Sequence, residues 1–352
     1  MDATGAPAVP QLHAGVSGVA PARGVGYKCA MPHLPEDGPP SGARPGGHGV
    51  SRRAFVTGAA ALAATAGTAG GRELSSPAAG QPQTRTEPAP VPLRIGMTDW
   101  NLGQRGDITK IALARQIGLD GIQVSLQFPA DGSLHLRDRK VQAAFKQAAL
   151  DEGIQICSLA IGSPGKFRLP LHTNPAAGIL LVEAVEVASA LGTTNILLPI
   201  LGESHIDMTN PREVDTFVAM MREVARHAEQ AGVVVALEDW ISAEDNLRLL
   251  DAIGSDFVQV YYDARNIKSR LHDPYGEPTK LKGRIHQVHV KNGPKLMRDQ
   301  DILDWPRLAQ EFRDIGYRGW YVLETGSPTK DLIADTRANI AYVRETFSIP
   351  PA

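Results

Sequence analysis

A chain of 352 residues with 43% hydrophobic side chains is long enough to bury one large core, and a formal net charge of −2 gives it no basic footprint for nucleic acid. Of its two cysteines, Cys29 and Cys157, only the second falls in the part that reads as folded, so no disulfide framework can hold that part together. Residues 1–90 contain 15 of the 35 glycines and 12 of the 26 prolines, the composition of a segment that does not bury a core, whereas residues 93–349 read as one folded domain.

Residues 1–50 read as a disordered leader or as sequence upstream of the true start, Val50 being an alternative initiator. Residues 51–80 begin "SRRAFVTGAAALAATAGTAGG". Arg52-Arg53 stands just ahead of Phe55, and a weakly apolar Gly/Ala stretch follows. That stretch is too short to span a bilayer, which takes roughly 20 apolar residues. The segment resembles a twin-arginine export signal. The resemblance implies the twin-arginine export machinery as a partner, a periplasmic or extracellular destination and no stable membrane anchor. Residues 81–92 form a Pro-rich spacer.

From residue 93 onward, short apolar runs alternate with amphipathic stretches. Strands are expected at 94–97, 121–127, 155–161, 195–199, 233–238, 257–263, 285–291 and 320–324. Helices are expected at 108–117, 138–152, 175–191, 211–231, 243–253, 305–315 and 330–347. Asn174-Pro175 and Asn210-Pro211 each place a capping side chain before a first-turn proline. Glycines after Leu191, Ala231 and Ile315 supply helix stops. Residues 266–283 hold no long helix, only a loop with a short one, "DPYGEP" marking the turn.

Eight strands alternating with helices over this length predict a single-domain α/β fold, the (β/α)8 TIM barrel. The competing open doubly wound sheet lacks its fingerprint, because "IGMTDWNLGQRG" after the first strand contains no G-x-G-x-x-G.

Side chains alternate in period two along a barrel strand, and active sites collect at the C-terminal strand ends. The last four strands read "VVVALEDW", "VQVYYDARN", "IHQVHVKN" and "WYVLETG". Each ends in one polar residue after an apolar run: Glu238, Asp263, His289 and Glu324. In the seventh strand, His289 shares a face with Ile285, Gln287 and Lys291, and His286 falls on the opposite, helix-facing side. Three carboxylates brought together at the lumen mouth would repel strongly unless a divalent cation joined them. Three oxygen donors and one imidazole suit Mn²⁺ first, with Mg²⁺, Co²⁺ and Zn²⁺ as alternatives. Lys291 faces the same way and could bind substrate hydroxyls or pair with a carboxylate. Trp100 and Trp240 follow the first and fifth strands, where they could stack on a bound substrate or simply pack. His205, in "ILGESHID" after the fourth strand, is a further candidate contact.

The motifs "ALEDW", "YYDARN", "VHVKN" and "GYRGWYVLETG" resemble the xylose isomerase-like TIM-barrel superfamily across residues 93–347. The resemblance implies that Glu238, Asp263, His289 and Glu324 are metal ligands and that Glu238 and Glu324 exchange protons with a small carbohydrate. It also matches Glu244 to a family glutamate six residues past the first ligand. Three positions depart from the epimerase pattern: Asn266 stands where a histidine is usual, Lys295 where an arginine is usual, and Asn292 where an aspartate is usual. The implied activity is isomerisation or epimerisation of a sugar or keto-sugar by proton transfer through an enediolate. A lyase or dehydratase acting on a keto-sugar, keto-glycoside or inosose, and a non-catalytic sugar-binding barrel, are the alternatives. An endonuclease IV-like phosphodiesterase is disfavoured by the acidic balance and the lone strand-end histidine.

Overall fold

The computed structural model describes residues 92–127, 135–161, 175–270 and 272–348. The expectations for the leader, the export signal and the spacer, and the Asn174 cap, lie outside the described residues. Among the described residues, no helix is long and apolar enough to cross a membrane.

Eight parallel strands close into a barrel in sequence order: β1 (Arg94–Thr98), β2 (Gly121–Leu126), β3 (Gln155–Ile161), β4 (Asn195–Pro199), β5 (Val234–Glu238), β6 (Val258–Asp263), β7 (Ile285–Val290) and β8 (Trp320–Leu323). β1 pairs with both β2 and β8, so no sheet edge is left. Around them lie α1 (Thr109–Ile117), α2 (Arg139–Glu152), α3 (Pro175–Leu191), α4 (Pro211–Ala231), α5 (Ala243–Ile253), α6 (Ala264–Ser269), α7 (Glu277–Lys280), α8 (Trp305–Asp314) and α9 (Leu332–Phe347). The expected loop between β6 and β7 contains the two short helices α6 and α7.

Local sequence explains the elements. α4 buries Phe217, Met221, Val224 and Ala228, a three-four spacing that puts one stripe on the barrel. Asn210 starts it by accepting from the Arg212 N–H at 3.2 Å, and Gly232 ends it at φ 66. α9 begins two residues later than its sequence pattern predicts. Asp331 caps it by accepting from the Ala334 N–H, and Lys330 sits at φ 69, outside helical geometry.

The alternation produces two cores. Inside the barrel, Cys157, Ala160, Leu197, Val234, Ala236, Tyr261, Trp320 and Val322 form a small cluster. The larger one, including Val235, Leu237, Val288 and Val290, fills the space between strands and helices. One strand breaks the expected period. Ile285 pairs with Val260 but Tyr261 pairs with Gln287, so His286 is the extra residue of a bulge. Ile285 therefore joins the helix-side core and not the lumen face of His289 and Gln287. His286 is correspondingly not a plain helix-facing residue. It lines a cavity of about 380 Å³ at the N-terminal end of the barrel, with Arg94 and Trp320.

The "GYRGW" turn that leads into β8 has a steric cause. A Cβ on Gly319 would lie 2.7 Å from the His286 carbonyl oxygen and closer still to the Tyr317 hydroxyl, which itself donates to the Trp320 carbonyl at 3.0 Å. Overpacking of this kind costs about 1–3 kcal/mol. Gly319→Ala is expected to lower the unfolding free energy by that amount, seen as a lower urea midpoint at an unchanged m-value. An unchanged midpoint would show that the tyrosine can step aside.

Candidate metal centre

β5 and β6 deliver Glu238 and Asp263 as their last residues, β7 delivers His289 as its penultimate one, and Glu324 follows β8 directly. The Glu324 N–H still bonds the Val290 carbonyl at 3.0 Å, which extends the ladder far enough to hold its side chain at the mouth. One ligating atom from each of the four lies within 4.8 Å of the others, and Glu238, Asp263 and His289 are buried. The strand-end pattern in the sequence thus corresponds to a real convergence.

His289 is the hub. Its Nδ1 lies 2.9 Å from Glu238 Oε1, 3.5 Å from Glu324 Oε2 and 3.6 Å from Asp263 Oδ2. Its Nε2 lies 3.1 Å from Gln123 Oε1. The Gln123 amide nitrogen donates to Ser158 Oγ at 2.8 Å and to the Tyr261 hydroxyl at 3.0 Å, which leaves its carbonyl oxygen to accept from His289. Nε2 therefore carries a hydrogen, and Nδ1 is the atom presented to the carboxylates. This is how a histidine ligand is oriented by the bond its other nitrogen makes.

Asp263 has a double task. Oδ1 caps α6 by accepting from the N–H groups of Arg265 and Asn266, both at 3.0 Å, which turns Oδ2 into the group. Lys291, the next lumen-side residue after His289, is ion-paired with Asp263, its Nζ 2.6 Å from Oδ2, and donates to Glu324 Oε2 at 2.8 Å and to Asn266 Oδ1 at 3.0 Å. Asn266 in turn donates to Glu238 Oε1 at 3.2 Å. Trp100 donates its indole N–H to Glu324 Oε1 at 3.3 Å and is itself covered by the Arg105 guanidinium, 4.4 Å from the ring centroid.

The electrostatics follow from burial and pairing. Burial pushes the Glu238 carboxyl up, and His289 offsets only part of this. Burial would also raise Asp263, but the Lys291 ammonium and His289 outweigh it and hold the carboxyl well below the usual range. For His289, burial works against the charge, yet Glu324 and Glu238 overcome it and hold the imidazole up at about 9. Lys291 is likewise held well above the ordinary lysine value by Asp263 and Glu324, against its own burial.

These residues fit a divalent cation. Three carboxylates face one imidazolium and one ammonium, leaving one negative charge in excess. A divalent ion that displaced the Nδ1 proton would close that balance, with Glu238, Asp263 and Glu324 offering oxygen donors and His289 one nitrogen donor. The sign of the pH effect is fixed. Below about pH 9 the ion must displace a proton from His289. Its apparent affinity is expected to rise about tenfold per pH unit between pH 7 and 9 and then flatten. Calorimetry of Mn²⁺ binding in buffers of different ionisation enthalpy should report about one proton released at pH 7. Affinity that does not vary with pH over that interval would show that Nδ1 is not displaced.

Three candidates named from the sequence lie elsewhere. Glu244 does not face the group: it lies in the first turn of α5, about 64% exposed, paired with Lys280. That turn presents Ala243 and Asn246 inward, and the helical phase carries residue 244 outward. Trp240 and His205 pack on each other, with ring centroids 5.5 Å apart, and line a neighbouring cavity. Lys295, at the position of the family arginine, bonds the Gln300 carbonyl, and Asn292 ties its own loop through the Leu296 and Asp299 carbonyls.

The residues missed are those that orient rather than ligate. Gln123 and Ser158 are polar residues in apolar strands, a signal present in "GIQVSL" and "QICSLAI". Asp99 is buried, which raises its carboxyl, and it holds Ser125 Oγ at 2.6 Å and the Ser125 and Gly106 N–H groups at 2.7 Å. It thereby shapes the loop that carries Trp100 and Arg105.

Residues 111–346 match the family model described as xylose isomerase-like TIM barrel. A D-psicose 3-epimerase of Enterocloster bolteae is 26% identical over 115 residues, which is 30% of this chain and 38% of that protein's length. The D-psicose 3-epimerase of Clostridium cellulolyticum H10, solved with D-tagatose, superposes with a TM-score of 0.61 at 16% identity, over 73% of this chain and 100% of that one. The 3-keto-D-glucoside 4-epimerase of E. coli, in its apo form, gives a TM-score of 0.60 at 16% identity, over 72% of this chain and 100% of that one. Structural likeness at such identities shows the shared fold. With the family model spanning most of the barrel, the chain belongs to the xylose isomerase-like TIM-barrel family.

Proposed function

We propose that this protein is a divalent-metal-dependent sugar isomerase or epimerase that moves the proton α to a carbonyl of a sugar or keto-sugar. The observation that carries this reading is the placement of two glutamates around one buried group. Glu238 comes from β5 and Glu324 from the end of β8, with two strands between them around the barrel, a placement that would let them approach a bound sugar from different sides. Two bases on different faces of one carbon are what epimerisation needs, because the proton leaves on one side and returns on the other.

Glu238, Asp263, His289 and Glu324 would hold the cation, most suitably Mn²⁺ given three oxygen donors and one imidazole, and the ion would supply Lewis-acid stabilisation of charge building on the sugar oxygens. The burial that raises the Glu238 carboxyl makes it a stronger base toward a carbon acid near neutral pH. Asn266 and His289 fix the position of its Oε1. Trp100 and Lys291 do the same for the two oxygens of Glu324, and Lys291 can also donate to a sugar hydroxyl at the mouth. The related proteins whose names specify psicose and keto-glucoside epimerisation support a carbohydrate substrate. The twin-arginine segment supports an exported enzyme and, with it, a substrate that is not a phosphorylated intracellular sugar.

The test is proton NMR in D₂O of the full chain loaded with Mn²⁺ against D-fructose, D-tagatose and a 3-keto-glucoside. Loss of the α-proton signal at a protein-dependent rate is expected for at least one of them. No exchange in any of the three, with metal bound, would overturn the reading.

A further inference from the structure

Arg270 closes α6, four residues after Asn266, so its backbone stands a little over one helical turn, roughly 6 Å along the axis, beyond a residue whose amide touches Glu238. Its guanidinium lies over the Trp240 indole, 3.8 Å from the ring centroid. Among the described residues it has no acidic partner. Arg270, Trp240, His205, His272, Ser242 and Asp245 line a cavity of about 540 Å³, within the usual range of about 300–1,000 Å³ for small-molecule pockets. Three segments reach into it: the loop after β4 with His205, the residues just after Glu238 at the end of β5, and the end of α6, the helix that Asp263 caps and whose Asn266 bonds Glu238.

The lining is built for an anion. Stacking on the indole fixes the plane of the guanidinium and occupies its face, which leaves the edge N–H groups for bidentate bonding to an oxyanion. His205 Nδ1 is buried with no hydrogen-bond partner. Burial and the Arg270 charge hold that imidazole below its ordinary range, so it is neutral at pH 7 and offers one N–H. Ser242 Oγ accepts from the Asp245 N–H at 3.1 Å, and its own hydrogen is left to donate. The one carboxylate in the lining, Asp245, is engaged by Arg248 at 3.2 Å.

We propose that this cavity is an oxyanion subsite that recognises a carboxylate or phosphate at the far end of the sugar whose other end reacts at the metal group. The proposal rests on the sugar isomerase or epimerase reading and narrows its substrate class to acidic sugars. The export signal favours the carboxylate as the source.

The experiment is titration calorimetry of the Mn²⁺-loaded full chain with D-fructose, D-fructuronate and D-fructose 6-phosphate, on wild type, Arg270→Gln and Arg270→Lys, with α-proton exchange measured alongside. Fructuronate is expected to bind at least about tenfold tighter than fructose to wild type, the gain typical of a charge-assisted hydrogen bond. Arg270→Gln should close that gap, and Arg270→Lys, which keeps the charge but loses the fork, should restore part of it. A gap carried by fructose 6-phosphate instead supports the subsite and makes phosphate its ligand. Equal affinity for all three sugars, or a gap that survives Arg270→Gln, overturns it. Tighter binding of the acid with no proton exchange overturns the catalytic reading alone, and exchange without a gap overturns the subsite alone.

Discussion

Glu238→Gln is expected to lower α-proton exchange by about 10²–10⁴-fold, the usual contribution of a positioned general base. The substitution keeps the shape of the side chain, so the Asn266 and His289 contacts at Oε1 need not be lost. It removes a carboxylate that burial disfavours, so the barrel should melt no lower than wild type. A second consequence follows from the same charge. Glu238 is one of the groups that raises His289, so its removal should bring the imidazole below about 9 and shift the pH profile of Mn²⁺ binding to lower pH. NMR exchange, thermal unfolding and calorimetry at several pH values together check the prediction. Wild-type exchange in a folded, metal-loaded Glu238→Gln protein would remove this residue from the chemistry.

The two histidines of "RIHQVHVKN" should behave in opposite ways. His289→Ala removes one of the four proposed ligands and leaves three carboxylates with Lys291 as their countercharge. Groups that merely orient a ligand are worth about 10–100-fold in metal affinity, so this loss should weaken Mn²⁺ binding by at least about 100-fold. His286→Ala should leave metal affinity within about threefold of wild type, because the side chain lies at the other end of the barrel, and should cost about 1–2 kcal/mol of stability. Its acid response gives a separate signature. Burial, helped by the nearby Arg94 charge, depresses His286 from its ordinary value near 6.5 to about 4. A depressed imidazole contributes stability that is present above pH 6.5 and lost as pH falls toward 4. His286→Ala should therefore flatten the stability profile in that window, measured by urea unfolding. Metal release by His286→Ala with retention by His289→Ala would mean that the lumen face has been assigned to the wrong residues.

Much of the fold was legible because its signals are local. β3 and β4 and helices α3, α4 and α5 fall at the residues expected from apolar period, caps and stops, and the other ends differ by one or two residues. The convergence of Glu238, Asp263, His289 and Glu324 was legible for the same reason: each stands at or next to the C-terminal end of a largely apolar strand, and strand ends of a barrel converge on one mouth. Local reasoning failed where the phase is set by contact. At β7 a strict period of two cannot show the bulge at His286, which arises from pairing with β6. At Glu244 a spacing of six from a ligand carries no information about which way the α5 turn faces.

The sequence by itself determined the order of eight strands, the carboxylates and imidazole at their ends, and hence the chemical character of the mouth. Only the tertiary structure decided the rest. Gln123 reaches His289 across 166 positions, Trp100 reaches Glu324 across 224, and Arg270 meets Trp240 from a different loop. The physical reason is barrel closure. Pairing of β1 with β8 brings the two ends of the domain together, and the stagger of the strands decides which side chains meet across the lumen. Neither quantity is encoded in any short window of residues, and it is this closure that selects which nitrogen of His289 faces the carboxylates.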